Sequence, residues 1–220
     1  MRTVIFDLDG TLADTAGDLI AAANAALGVL GHGSQLVQGR DDATALRGGR
    51  AMLRLGLERA GALDVAVIDR GYPILLEAYG AAIATHTTLY PGAIAAVERL
   101  RAAGAAVGIC TNKPEALAIQ LLAALGITHH FASLVGADTL PTRKPDPAPF
   151  HAAVARAGGS HARACLIGDT VTDRETARAA GVPSVLVTFS AAGRSVSDLK
   201  PEALLDHYDD LDRVLDLILP

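Results

Sequence analysis

Val4-Ile5-Phe6-Asp7-Leu8-Asp9-Gly10-Thr11-Leu12 is a short apolar run that delivers two carboxylates, two residues apart, into a glycine turn. On an extended strand, positions i and i+2 point to the same side, so Asp7 and Asp9 are expected to converge on one small volume. Two ionised acids held that close repel. They coexist when a cation neutralises one, while the other is pushed toward a protonated form that can donate a proton. The pattern reads as a nucleophile beside a general acid; Asp7 without Asp9 would read as an ordinary strand-ending turn.

Outward from this stretch, further short apolar runs end in polar or glycine turns at 105–110, 133–136, 164–168 and 184–188. Such runs are the pattern of parallel strands buried on both faces. Ala- and Leu-rich helical stretches fall between them at 92–103, 115–125, 148–157 and 173–180, so strand and helix alternate as in a doubly wound α/β sheet. Residues 15–88 break the rhythm. They hold helical segments near 17–30, 43–61 and 65–84 and read as an all-helical insert after the first strand. Thr15 followed by Asp18 predicts a capping box at its first helix. The expected organisation is an α/β core from 1–14 and 89–220, with residues 15–88 as a separate helical domain.

Ligands of open parallel sheets bind at the carboxyl ends of the strands, near the point where strand order reverses. The polar candidates sit there. Thr111-Asn112-Lys113-Pro114 offers a hydroxyl, an amide and free backbone N–H groups suited to a phosphate, with Pro114 fit for a first helical turn. Arg143-Lys144-Pro145-Asp146-Pro147 sets a cation in a stiff loop. Gly168-Asp169-Thr170-Val171-Thr172-Asp173 adds two carboxylates four residues apart, a set that a hard divalent cation with a preference for oxygen would accept.

The order and wording of these four segments resemble the haloacid dehalogenase superfamily, and within it the phosphatases of the phosphoglycolate type with a helical cap after the first motif. The resemblance covers nearly the whole chain: Asp7, Asp9, Gly10, Thr11 and Asp14 match the first motif, Thr111 and Asn112 the second, Lys144 the third, and Gly168, Asp169 and Asp173 the fourth. Leu89-Tyr90-Pro91-Gly92 matches the usual re-entry from cap to core. The resemblance implies that Asp7 becomes an aspartyl phosphate and that Asp9 protonates the departing alcohol. It implies Mg2+ on the carboxylates of Asp7 and Asp169 and the backbone carbonyl of Asp9, with Asp173 supporting the metal or orienting Lys144. Thr111, Asn112 and Lys144 would hold the phosphate oxygens in a site from which the cap excludes water.

The cap departs further from the family pattern than the core does. Its cations are all arginine, and residues 15–88 contain no lysine. This disfavours the phosphonate-cleaving branch, which needs a cap amine for a Schiff base. Arg47 and Arg50 are the candidates for gripping the acid end of a substrate such as 2-phosphoglycolate. A hexose-phosphate mutase shares the catalytic set and is the nearest alternative, and a non-enzymatic phospho-acceptor domain is a more distant one.

Composition narrows the partners. The net charge of −5 leaves no basic stripe for nucleic acid, and no apolar run approaches bilayer length. The N-terminus reaches Asp7 before a signal-type apolar region forms, so the expectation is a cytosolic protein acting on a small phosphorylated metabolite, without nucleic acid or membrane. Cys110 and Cys165 lie inside strand-like runs and read as small buried hydrophobes.

Overall fold

The computed structural model describes residues 1–219. The chain divides into two compact units, one from residues 1–14 together with the chain from Leu89 onward, the other from residues 15–88. The first unit opens with β1 (Thr3–Phe6) and β2 (Ala13–Asp14). The second holds α1 (Ala16–Val29), α2 (Asp42–Ala45), α3 (Gly49–Arg59) and α4 (Val65–Ala81). After β3 (Thr88–Leu89), the first unit resumes with α5 (Ala93–Ala102), β4 (Ala106–Cys110), α6 (Glu115–Ala124), β5 (Ser133–Val135), α7 (Ala148–Arg156), β6 (Ala164–Gly168), α8 (Val171–Ala180), β7 (Ser184–Val187), β8 (Ala203–Leu205) and α9 (Leu211–Ile218).

Six strands of the α/β unit form one parallel sheet in the order β5-β4-β1-β6-β7-β8. The chain builds outward from β1 on one side, then crosses back to build on the other, so strand order reverses around β1. Register decides what meets there. Phe6 lies opposite both Ile109 of β4 and Ile167 of β6, so the residues that follow these three strands emerge at one level. Every residue of β1, β4 and β6 is buried, as strands covered on both faces must be. Ile5, Cys110, Val135, Phe150, Val154 and Leu166 pack into one apolar cluster. Burial pushes the thiols of Cys110 and Cys165 up to about 12, which leaves both as inert apolar groups.

β8 falls outside the expected strands. Its Ala203-Leu204-Leu205 run is short and only its last residue is fully buried, as befits a sheet edge, so it carried too little periodic signal. In the helical unit, the single helix expected over 43–61 is two helices. Gly48, at φ 95°, takes a conformation that L side chains avoid, and the chain turns there before α3 begins. The expected capping box at Thr15 is replaced by a longer-range use of Asp18, whose carboxylate accepts the backbone N–H groups of His86 and Thr87 at 2.9 Å and the Thr87 hydroxyl at 2.7 Å. Among the described residues no helix is long and apolar enough to cross a membrane.

Candidate active site

Asp7 follows β1 directly, and its N–H extends the ladder to the Ile167 carbonyl at 2.8 Å. Its carboxylate accepts the Leu8 N–H at 2.7 Å and lies 3.1 Å from Lys144 Nζ. Lys144 also donates to Asp173 Oδ1 at 2.6 Å, and its side chain is 1% exposed. Asp173 comes from the first turn of α8. Its other oxygen accepts the Thr170 hydroxyl at 2.7 Å and the Thr170 N–H at 3.1 Å, which closes a capping box. The approach of Asp173 to the strand end requires Gly168, where a Cβ would fall 2.3 Å from Asp173 Cγ.

Asp169 completes the cluster. Its Oδ1 accepts the Thr11 hydroxyl at 3.2 Å, while its buried Oδ2 has no hydrogen-bond partner among the described residues. Asp7, Asp169 and Asp173 can each offer one oxygen within 4.8 Å of the others. Three carboxylates thus cluster where one ammonium pairs with two of them. An oxygen-only set with excess negative charge and an orphaned buried carboxylate oxygen fits a hard divalent cation such as Mg2+.

The acidities follow from the same imbalance. Burial raises Asp7 to about 6; Lys144 pulls it back, while the charges of Asp173 and Asp9 add to the rise. Burial, then the charges of Asp173 and Asp7, drive Asp169 well above the usual carboxylate range. For Lys144, burial works against the charge, but Asp173 and Asp7 outweigh it and leave the ammonium more basic than usual.

Four of the residues named from sequence therefore converge: Asp7, Lys144, Asp169 and Asp173. Asp9 does not join that cluster through its side chain. Its carboxylate lies 2.8 and 3.0 Å from Lys113 Nζ, and the charge of Asp173 raises Asp7 more than that of Asp9 does. Thr111 is buried, and its hydroxyl accepts the Lys113 N–H at 3.2 Å. Asn112 is exposed and spends its amide on the Lys144 carbonyl at 2.9 Å, which ties the lysine loop to the end of β4. Arg47 and Arg50 lie in the helical unit, both exposed. Arg50 is held by Asp69 at 2.7 Å and sits over the Tyr72 ring at 5.0 Å.

Lys113 is the residue that sequence reasoning missed. The signal was present: Thr111 and Lys113 are two apart directly after β4, and carrying the strand's alternation past its end puts them on one side and Asn112 on the other. Their buried, exposed, buried sequence follows that alternation.

A sequence profile described as haloacid dehalogenase-like hydrolase matches residues 1–181. A phosphoglycolate phosphatase of Mesorhizobium japonicum is 42% identical over 213 residues, which cover 94% of this chain and 92% of that protein. A phosphoglycolate phosphatase of Caulobacter vibrioides is 39% identical over 212 residues, covering 95% and 88%. Among solved structures, a protein described as a predicted phosphoglycolate phosphatase from Haemophilus somnus superposes with a TM-score of 0.81 at 25% identity, covering 97% of each chain.

Proposed function

The chain belongs to the haloacid dehalogenase-like hydrolases, and from that premise we propose that it hydrolyses a small phosphomonoester, 2-phosphoglycolate foremost, through an aspartyl phosphate on Asp7. The observation that carries this reading is the clustering of the Asp7, Asp169 and Asp173 carboxylates, two of them paired with the Lys144 ammonium, with Asp169 Oδ2 left unpartnered among the described residues.

An Asp7 oxygen attacks phosphorus, and the bond from phosphorus to the substrate oxygen breaks. Asp9 protonates the departing alcohol. Asp9 then takes a proton from water as that water attacks the phosphorus, releasing inorganic phosphate and restoring the Asp7 carboxylate. With an acidity near 6, Asp7 is mostly ionised at neutral pH, and Lys144 is what keeps the value from rising further. Lys144 and the turn at Thr111 face the phosphate oxygens. The carboxylates of Asp7 and Asp169 would hold Mg2+, which when bound supplies positive charge against the transferred group. Both Asp173 oxygens are already committed, one to Lys144 and one to Thr170, so we assign Asp173 to positioning the lysine. Concerted charge is required because uncatalysed monoester hydrolysis calls for accelerations of up to about 10^21-fold, whereas one general acid supplies about 10^2 to 10^4.

Residues 15–88 are assigned as the helical cap of a cytosolic enzyme. Arg50 is engaged by Asp69 and Tyr72, so Arg47, in the turn between α2 and α3, is the arginine we assign to a substrate carboxylate. The test is a phosphate-release screen over small phosphorylated metabolites with and without Mg2+, including phosphoglycolate and hexose phosphates. Mg2+-dependent release with a preference for phosphoglycolate is the expected outcome. Isomerised sugar phosphate with little free phosphate would turn the assignment to a mutase, and a stable phosphoprotein without turnover would turn it to a phospho-acceptor.

A further inference from the structure

Tyr208 lies in the short turn Tyr208–Asp210, beyond the end of the segment that matches the hydrolase profile, and no sequence motif marks it. Its side chain is nevertheless completely buried, and its hydroxyl donates to the backbone carbonyl of Thr11 at 2.8 Å. The partner is in the turn that follows β1. There the Leu8 carbonyl gathers the N–H groups of Thr11, Leu12 and Ala13 at 3.0–3.3 Å. The Thr11 hydroxyl in turn donates to Asp169 Oδ1. A single line of hydrogen bonds therefore runs from Tyr208 through Thr11 to Asp169, the carboxylate whose second oxygen has no partner among the described residues.

The tyrosine is itself well anchored. Its ring packs against Phe189 at 5.3 Å and Phe6 at 6.5 Å between centroids. The Arg99 guanidinium donates to its carbonyl at 3.1 Å. The anchoring gives the contact its mechanical meaning. A carboxylate free to rotate would present its oxygens indifferently, but with Oδ1 fixed on Thr11, Asp169 offers Oδ2. Partners of this kind, one step removed from a metal, set the orientation of its ligands.

We propose that Tyr208 is a positioning residue for the candidate metal ligand Asp169, acting through the Thr11 peptide. This inference rests on the Mg2+ reading above and adds to it a device supplied by the far end of the chain. Tyr208→Phe keeps the ring and its packing while removing the donor. Thr11→Val removes the direct partner of Asp169, and Thr11→Ser restores the hydroxyl.

Calorimetric titration of the full-length proteins with Mg2+ alone reads the effect. Thr11→Val is expected to weaken Mg2+ binding about 10- to 100-fold, the usual cost of losing a ligand's direct partner, and Tyr208→Phe, one bond further away, about 3- to 10-fold. Thr11→Ser should bind nearly as wild type. The double variant Thr11→Val/Tyr208→Phe should bind no more weakly than Thr11→Val, because the tyrosine has nothing left to act through. A Tyr208→Phe protein that melts lower without metal yet binds Mg2+ as wild type does would overturn the inference and leave the Mg2+ reading standing. So would a double variant in which the two losses multiply. A wild-type protein that takes up no Mg2+ would overturn the metal reading itself, and this inference with it.

Discussion

Asp41 in the helical unit and Asp7 in the α/β unit are both buried aspartates facing a cation, yet their acidities move in opposite directions. Asp41 accepts both terminal nitrogens of Arg59 at 2.6 and 2.7 Å, the Val37 N–H at 2.8 Å and Arg40 at 3.2 Å. The Arg59 hydrogen bonds lead in holding its carboxyl far below the ordinary range, against the opposing effect of burial. Arg59 alone neutralises the acid, Arg40 adds a contact from a largely exposed side chain, and the carboxylate needs nothing further. At the strand ends, Asp7 and Asp173 share one lysine with Asp169 close beside them, and burial dominates the acidities of Asp7 and Asp169. A buried cluster that balances its own charge holds a fold together. One that leaves charge uncompensated is the pattern expected of a functional site.

The largest effects should come from disturbing the unbalanced cluster. Asp7→Asn removes the proposed nucleophile and is expected to lower kcat on the order of 10^4- to 10^6-fold, as loss of a covalent nucleophile does elsewhere. The same substitution should raise the melting temperature of the metal-free protein, since it deletes one carboxylate from a site with too many. Lost turnover with gained stability, read by phosphate release and thermal melting, is the signature of a functional cluster; a protein that lost both would show Asp7 to be structural. Lys144→Met strips from Asp7 and Asp173 the ammonium that pairs with both. Removing one partner of a buried ion pair costs about 3–5 kcal/mol, which urea denaturation without metal would read, and Mg2+ should recover part of it.

Much of the unbalanced cluster was legible in sequence because it hangs on strands whose apolar runs are buried on both faces and whose polar residues follow immediately. Asp7, Asp169 and Asp173 needed only the right register. Lys113 was hidden by a reading of its turn that gave Asn112 the inward position, although a period of two assigns it to Lys113. Asp9 was legible as a residue but not as a contact, because its carboxylate is taken by that lysine. The balanced cluster was invisible. Asp41 and Arg59 are separated by the turn at Gly48 that divides α2 from α3, and no periodicity announces where a chain will fold back. Tyr208 stands 197 positions from Thr11, so only the closed sheet could bring them together.

A smaller effect separates the clusters by pH. The folded-state acidity of Asp7 is raised, from 3.8 to about 6. Between those values the native protein holds a proton that the unfolded chain has released, so metal-free stability should fall as pH rises through that window, by an amount on the order of 3 kcal/mol at most. The proposed Mg2+ site uses Asp7 in its ionised form. Its stabilisation of the fold, read as a shift in melting temperature, should therefore be larger at pH 7.5 than at pH 5; equal shifts at both would mean that Asp7 is not a ligand.

Asp41 should show the reverse dependence and the smallest effect. Its acidity is lowered in the fold, so its contribution is complete above the unfolded carboxylate value and disappears as pH falls toward the depressed folded one. Asp41→Ala leaves the Val37 N–H without its acceptor and Arg59 without its carboxylate, with the Gln35 carbonyl at 2.8 Å still accepting from the guanidinium. Because Arg59 stays within reach of water at 30% exposure, the cost is expected to be about 1–3 kcal/mol at pH 7. The gap between wild type and variant should close in strong acid, where the wild-type carboxylate is itself protonated. Mg2+ should shift both proteins' melting temperatures equally. If it stabilised the variant less, Asp41 would belong with the metal site, and the division between a cluster complete in itself and one completed by a ligand would fail at its self-sufficient end.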